Sequence, residues 1–171
     1  MSLARTQRLF LALWPSDSLR GQLQAHADQW HWPSGCVRYA PDDWHVTLHF
    51  LGNVAADQVN AIETSAAVPF EPFALVLDQP ALWRHGLAVL CPTVIPKRMS
   101  ALHGSLGLAL QRLDLAVEAR PYRPHVTLAR QADEATLPPA PMPVQWQVSG
   151  FALVLSTGDT AQRYRVLRHY R

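Results

Sequence analysis

His45-Val-Thr-Leu-His-Phe-Leu-Gly52 and His125-Val-Thr-Leu-Ala-Arg130 open with the same four residues, 80 positions apart (125 − 45). Each copy follows a turn segment containing proline, Pro41-Asp-Asp43 in one case and Pro121-Tyr-Arg-Pro124 in the other. Val, Thr and Leu with a period-two change of polarity read as strand. Successive side chains of a strand point to opposite faces. His45 and Thr47 therefore share one face, and Val46, Leu48 and Phe50 the other. The same rule sets His125 and Thr127 against Val126 and Leu128. Each strand has an apolar face for a helix to cover and a polar face with imidazole beside hydroxyl. A duplicated strand–helix unit would leave this pattern, although the rest of the two halves shows no clear identity.

Working outward, Arg8–Leu13 is a short apolar run ended by Trp14-Pro15 and reads as a buried strand. Pro15-Ser-Asp-Ser opens a helix that runs to about Trp30, with Leu19, Leu23 and His26 on one face. Val37–Tyr39 is a short strand, and Trp44–Leu51 a strand closed by Gly52-Asn53. A second helix covers about Ala55–Ala67, with Val59 and Ile62 facing in. Phe73–Leu77 is a strand, and Leu82–Arg84 and Leu87–Leu90 flank a His85-Gly86 turn. A third helix spans about Pro96–Leu113, with Met99, Leu102, Leu106, Leu110 and Leu113 at helical spacing. Gln131–Pro143 is a proline-rich loop. Val144–Leu155 and Arg163–His169 read as a closing hairpin. Helices mixed with strands on short turns favour an α+β fold with antiparallel pairing over a parallel doubly wound sheet.

The chain has 171 residues, 49 % of them hydrophobic and 16 % charged. That composition fits one globular domain over residues 1–171 and excludes a disordered chain. No apolar run approaches the ~20 residues of a membrane helix. The amino terminus leads straight into a strand-like segment and not into a signal peptide, so a cytoplasmic protein is expected. Cys36 and Cys91 form no disulfide framework and read as buried or half-buried thiols. The formal net charge is only +2, well short of the basic stripe of a strong nucleic-acid binder. Lys97 is the single lysine, and every other cationic side chain is arginine, a planar fork suited to phosphate. A GC-rich coding sequence would produce the same bias.

Should the two halves pack about a pseudo-twofold axis, two His and two Thr converge in one groove. Two imidazoles across a groove suit phosphodiester chemistry. One, neutral, takes a proton from water or a hydroxyl. The other, as imidazolium, gives a proton to the departing oxygen. Threonine hydroxyls can hold the non-bridging oxygens, and Arg130 can add its fork. Two other readings stand beside this one. His-x-Thr in a strand can be no more than a strand. His45, His49 and His125 could instead be three ligands of an open zinc site, although no Asp, Glu or Cys accompanies them in the motifs. His26, His31, His85, His103 and His169 have no partner in sequence and read as structural or solvated.

The chain resembles the two-histidine (2H) phosphoesterase superfamily, and within it the RNA 2′,3′-cyclic phosphodiesterase branch historically called 2′-5′ RNA ligase. The resemblance rests on Arg8–Leu13 with Pro15 after it, on His45–Gly52 and on Arg123–Arg130. It implies a two-lobed, pseudo-symmetric α+β fold in which antiparallel sheets line a concave groove and helices pack outside. It implies hydrolysis of 2′,3′-cyclic phosphate RNA ends to 2′-phosphomonoesters with neither metal nor cofactor, and reversible 2′-5′ ligation. His45 would be the proton donor and His125 the proton acceptor. Thr47, Thr127 and Arg130 would bind phosphate, and Phe10 would stack on the terminal base. The partners implied are RNA ends or small cyclic nucleotides, with the chain a monomer and no membrane involved. A non-catalytic RNA-end-binding module is the rival from another class. His49 is an extra histidine on the His45 face that could tune His45 or touch substrate. Arg38, Arg84, Arg123 and Arg130 are the expected rim contacts to RNA phosphates.

Overall fold

A computed structural model describes residues 5–171, so the first four residues, which the reading of the amino terminus included, lie outside it. Strand β1 (Thr6–Leu13) leads into helix α1 (Asp17–Ala27). Ser16 caps that helix by accepting from the Leu19 amide. Strand β2 (Val37–Arg38), a 3₁₀ turn over Pro41–Asp43 and strand β3 (Val46–Ala55) follow, then α2 (Val59–Ser65). Next come β4 (Phe73–Leu77), β5 (Gln79–Trp83), β6 (Leu87–Cys91) and α3 (Lys97–Gln111). The chain ends with β7 (Val126–Arg130), β8 (Val144–Val148), β9 (Phe151–Ser156) and β10 (Tyr164–Tyr170). Every strand pair is antiparallel.

The principal sheet runs β10-β9-β1-β3-β7-β6-β5, with β2 paired to β7. β3 and β7 touch at one backbone pair, Val46 opposite Val126. These are the same position of the two repeats, so a local twofold axis passes between them. The sheet consequently has two arms, one per motif. Met99, Leu102, Leu106 and Leu110 of α3 and Leu19 and Leu23 of α1 fill the core with the inward residues of the strands. Among the described residues no helix is long and apolar enough to cross a membrane. Cys36 is half-buried and Cys91 buried, and neither is in a disulfide.

Three expectations need correction. Val144–Leu155 is not one arm of a hairpin. Ser149-Gly150 breaks it into β8, which pairs with β4 in a separate two-stranded sheet, and β9, which joins the principal sheet. Gly52-Asn53 does not close β3. A bulge at Leu51, where the register against β1 shifts, is followed by Gly52 at φ +72°, and the strand continues to Ala55. The second helix is shorter than its apolar spacing implies, because Ala56–Gln58 adopt a 3₁₀ turn before α2.

Candidate active site

The two motifs share more than sequence. From Trp44 to Phe50 and from Pro124 to Arg130 burial follows one identical order: buried, half-buried, buried, half-buried, buried, buried, exposed. The half-buried positions are His45, Thr47, His125 and Thr127. Extending the Val46–Val126 register one step each way sets His45 opposite Thr127 and Thr47 opposite His125. All four line one cavity of about 130 Å³ together with Tyr39, Asp43 and Tyr164.

The last two positions of that pattern break simple alternation. Leu48 is skipped in the register of β3 against β1, and Leu128 in that of β7 against β6. Each repeat therefore carries a bulge at its leucine, which reverses the facing of the residues beyond it. Ala129 turns into the core, and Arg130 turns outward, its guanidinium 5.4 Å from the ring of Tyr39. In the first repeat the same reversal sends His49 inward and Phe50 outward. His49 is thus not on the His45 face, and it is 5 % exposed. It neither lines the groove nor completes a ligand set with His45 and His125. Among the described residues no group of three His, Cys, Asp or Glu side chains could hold a metal ion.

His49 belongs instead to a column of rings. It stacks on His103 of α3 at 4.1 Å, and His103 stacks on Tyr122 at 3.9 Å. The Tyr122 hydroxyl donates to the Thr47 carbonyl at 2.8 Å. Tyr122 lies three residues before His125, so this bond ties the second motif to the first where the sheet supplies a single backbone pair.

The histidines are held alike. His45 Nδ1 lies 2.8 Å from the Asp43 carbonyl, and His125 Nδ1 lies 2.8 Å from the Arg123 carbonyl. A carbonyl only accepts, so each Nδ1 carries the proton and each neutral Nε2 keeps its lone pair. Burial pushes His45 down from its ordinary value to about 4, with the His125 and Arg20 charges adding to the effect. The bond to the Asp43 carbonyl opposes it. Burial likewise lowers His125, against the help of the Arg123 carbonyl. Aromatic rings wall His45: Phe10 at 4.8 Å, Trp14 stacked at 5.7 Å and Tyr164 edge-on at 5.3 Å. Trp83 stands 4.5 Å from His125 and carries the Arg123 guanidinium at 4.1 Å. Arg20 of α1 donates to the Pro41 and Trp44 carbonyls, which fixes the turn that delivers Asp43 and His45.

Beyond His45 and Thr47 the cavity opens into a groove of about 770 Å³. Arg5, Arg8 and Arg165 line it, and among the described residues no carboxylate does. Phe10 faces this groove but is only 4 % exposed, because His45 and Tyr164 cover it. Of the arginines expected at the rim, Arg123 stands beside His125, and Arg130 reaches the ring of Tyr39, which lines the cavity, although neither arginine lines the cavity or the groove itself. Arg38 pairs with Asp28 at 3.7 Å, and Arg84 lines neither the groove nor the cavity. Sequence reasoning missed Tyr39, Asp43, Phe50, Tyr122 and Tyr164. Asp43 and Tyr122 did stand inside the two proline-bearing lead-ins, which was the one signal available.

An antiparallel two-armed α+β sheet with paired His-x-Thr strands defines the 2H class of protein. The family model described as the 2′-5′ RNA ligase superfamily matches residues 15–160, and the chain belongs to that family. It is 33 % identical over 173 residues to the RNA 2′,3′-cyclic phosphodiesterase of Escherichia coli K12, a match covering 98 % of each chain. A crystal structure described as a phosphoesterase superposes with a TM-score of 0.88 at 29 % identity, covering 97 % of this chain and 98 % of that one. Escherichia coli LigT complexed with 3′-AMP superposes at 0.85 and 30 % identity, covering 97 % of this chain and 98 % of LigT.

Proposed function

We propose that this chain is an RNA 2′,3′-cyclic phosphodiesterase that hydrolyses the cyclic end to a 2′-phosphomonoester without a metal ion. The observation that carries this reading is the single cavity lined by His45, Thr47, His125 and Thr127. The curated relative bears that activity in its name, and LigT is described as holding 3′-AMP.

In the proposed reaction His125 Nε2 takes a proton from water as the water oxygen bonds to phosphorus. The bond from phosphorus to the 3′-oxygen breaks, and His45, entering the step as the imidazolium, gives that oxygen the proton on its Nε2. Thr47 and Thr127 donate to the non-bridging oxygens, and Arg130 balances the charge that builds on them. In-line attack puts the nucleoside on the side of the acid. The large arginine-lined groove adjoins His45, which supports His45 as donor and His125 as acceptor. The terminal base then rests against the wall of Phe10 and Tyr164. With a 5′-hydroxyl in place of water the same forward steps join a 2′-5′ linkage, and run backward they split it, the 3′-hydroxyl attacking phosphorus and the 5′-hydroxyl leaving.

The protein acts in this reading as a cytoplasmic monomer, its two arms forming one domain over residues 1–171. Small cyclic nucleotides are the second substrate class. The test is conversion, in the presence of chelator, of an oligoribonucleotide ending in 2′,3′-cyclic phosphate to the 2′-phosphate. A cyclic end that persists, or turnover abolished by chelator, overturns the reading.

A further inference from the structure

Among the described residues Phe50 is the only phenylalanine in the set of exposed large hydrophobic side chains, at 54 % exposure. The bulge at Leu48 aims it into the arginine-lined groove, directly opposite Phe10 in the β1–β3 register. The Arg8 guanidinium lies 5.0 Å from its ring centre. Across the bulge Thr47 stands opposite Ala12 and Phe50 opposite Phe10, so the two lie two residues of β1 apart, about 7 Å at ~3.3 Å per residue. The rings that wall His45, where the terminal base is placed, are Phe10 and Tyr164, and Phe50 stands apart from them in the groove, where it suits the nucleotide before the cyclic end. An exposed aromatic face beside guanidinium groups, in a groove with no carboxylate among its described lining residues, has the chemistry of a single-stranded nucleic-acid platform.

We infer that Phe50 and Arg8 form a subsite for the nucleotide preceding the cyclic end, Phe50 stacking its base and Arg8 meeting the linking phosphodiester. The inference rests on the RNA-end reading and adds a consequence: the protein prefers an oligonucleotide end to a cyclic mononucleotide. Arg5 and Arg165, farther along the same groove, continue the phosphate track.

The experiment compares uridine 2′,3′-cyclic phosphate with a uridine trinucleotide carrying the same cyclic end. The native chain is expected to favour the trinucleotide in kcat/KM by about five- to a hundredfold, the worth of one base–aromatic stack. Phe50→Ala is expected to collapse that ratio, and Phe50→Trp, which keeps an aromatic face, to retain it. Arg8→Gln is expected to reduce the salt slope of trinucleotide binding by about 0.7, one phosphate contact to a single strand. A Phe50→Ala loss equal on both substrates, or an unchanged ratio, overturns the subsite, as does an unchanged salt slope. Binding of the trinucleotide 2′-phosphate product keeps the subsite testable apart from catalysis. If neither cyclic substrate turns over but Phe50→Ala weakens product binding, the catalytic reading fails and the subsite stands.

Discussion

Raising the pH from 6.5 to 8 is expected to lower kcat/KM about tenfold per unit while leaving kcat nearly flat to neutrality. The free protein holds the His45 imidazole near 4, so at pH 7 only about one molecule in a thousand carries the imidazolium that must donate. His125 titrates below its ordinary range, so it is already in its accepting form. Above the pH at which His125 loses its proton, the active fraction follows His45 alone and falls with a slope of −1. A bound cyclic phosphate changes this balance. One negative charge at about 4 Å and an effective dielectric of ~20 is worth about 4 kcal/mol, close to three decades of proton affinity. That attraction lifts His45 from about 4 toward neutrality in the complex, so kcat and kcat/KM part on the alkaline side. The assay is initial rate against pH with a cyclic-ended oligoribonucleotide, with both parameters extracted. Titration of the His45 ring by NMR, with and without inorganic phosphate, is the direct check. A kcat/KM that is level between pH 6.5 and 8, or a free His45 that titrates near 6.5, refutes the reasoning.

His45→Ala and His125→Ala are each expected to cost about 10²–10⁴ in kcat while circular dichroism stays native. Turnover at the native rate in either one removes the acid–base pair. Tyr122→Phe removes the bond to the Thr47 carbonyl, about 1 kcal/mol for a neutral pair, so kcat should fall about three- to tenfold with KM within about twofold. An unchanged kcat would show that the motifs keep their spacing without it. Stability should fall as the pH drops from 6.5 toward 4. Over that window the unfolded chain takes up protons that buried His45 and His103, each pushed down to about 4, refuse in the native state. The His45 share is on the order of 2–3 kcal/mol, and urea unfolding of His45→Ala should show a correspondingly shallower pH dependence.

Most of the elements were legible because each obeys one period. α1 and α3 show helical spacing with a proline or serine start, and β1, β6 and β7 are short apolar runs. Failures cluster where a local exception overrides the period. Gly52 reads as a stop, yet its left-handed backbone accommodates a bulge and the strand runs on. Val144–Leu155 reads as one strand, yet its two halves serve different sheets. His49 follows strict alternation on paper, and the bulge at Leu48 sends it to the opposite face.

By itself the sequence supplied the material for the proposed chemistry, because two His-x-Thr units bring two imidazoles and two hydroxyls. It also determined which face of each strand those groups occupy up to the bulge, since that follows from period two alone. Only the tertiary structure decided how the units meet: back to back across one Val46–Val126 pair, clasped by Tyr122, with Phe50 turned to the groove. The physical reason is that bulges and cross-strand register arise from packing between segments distant along the chain. No local pattern of residues encodes them.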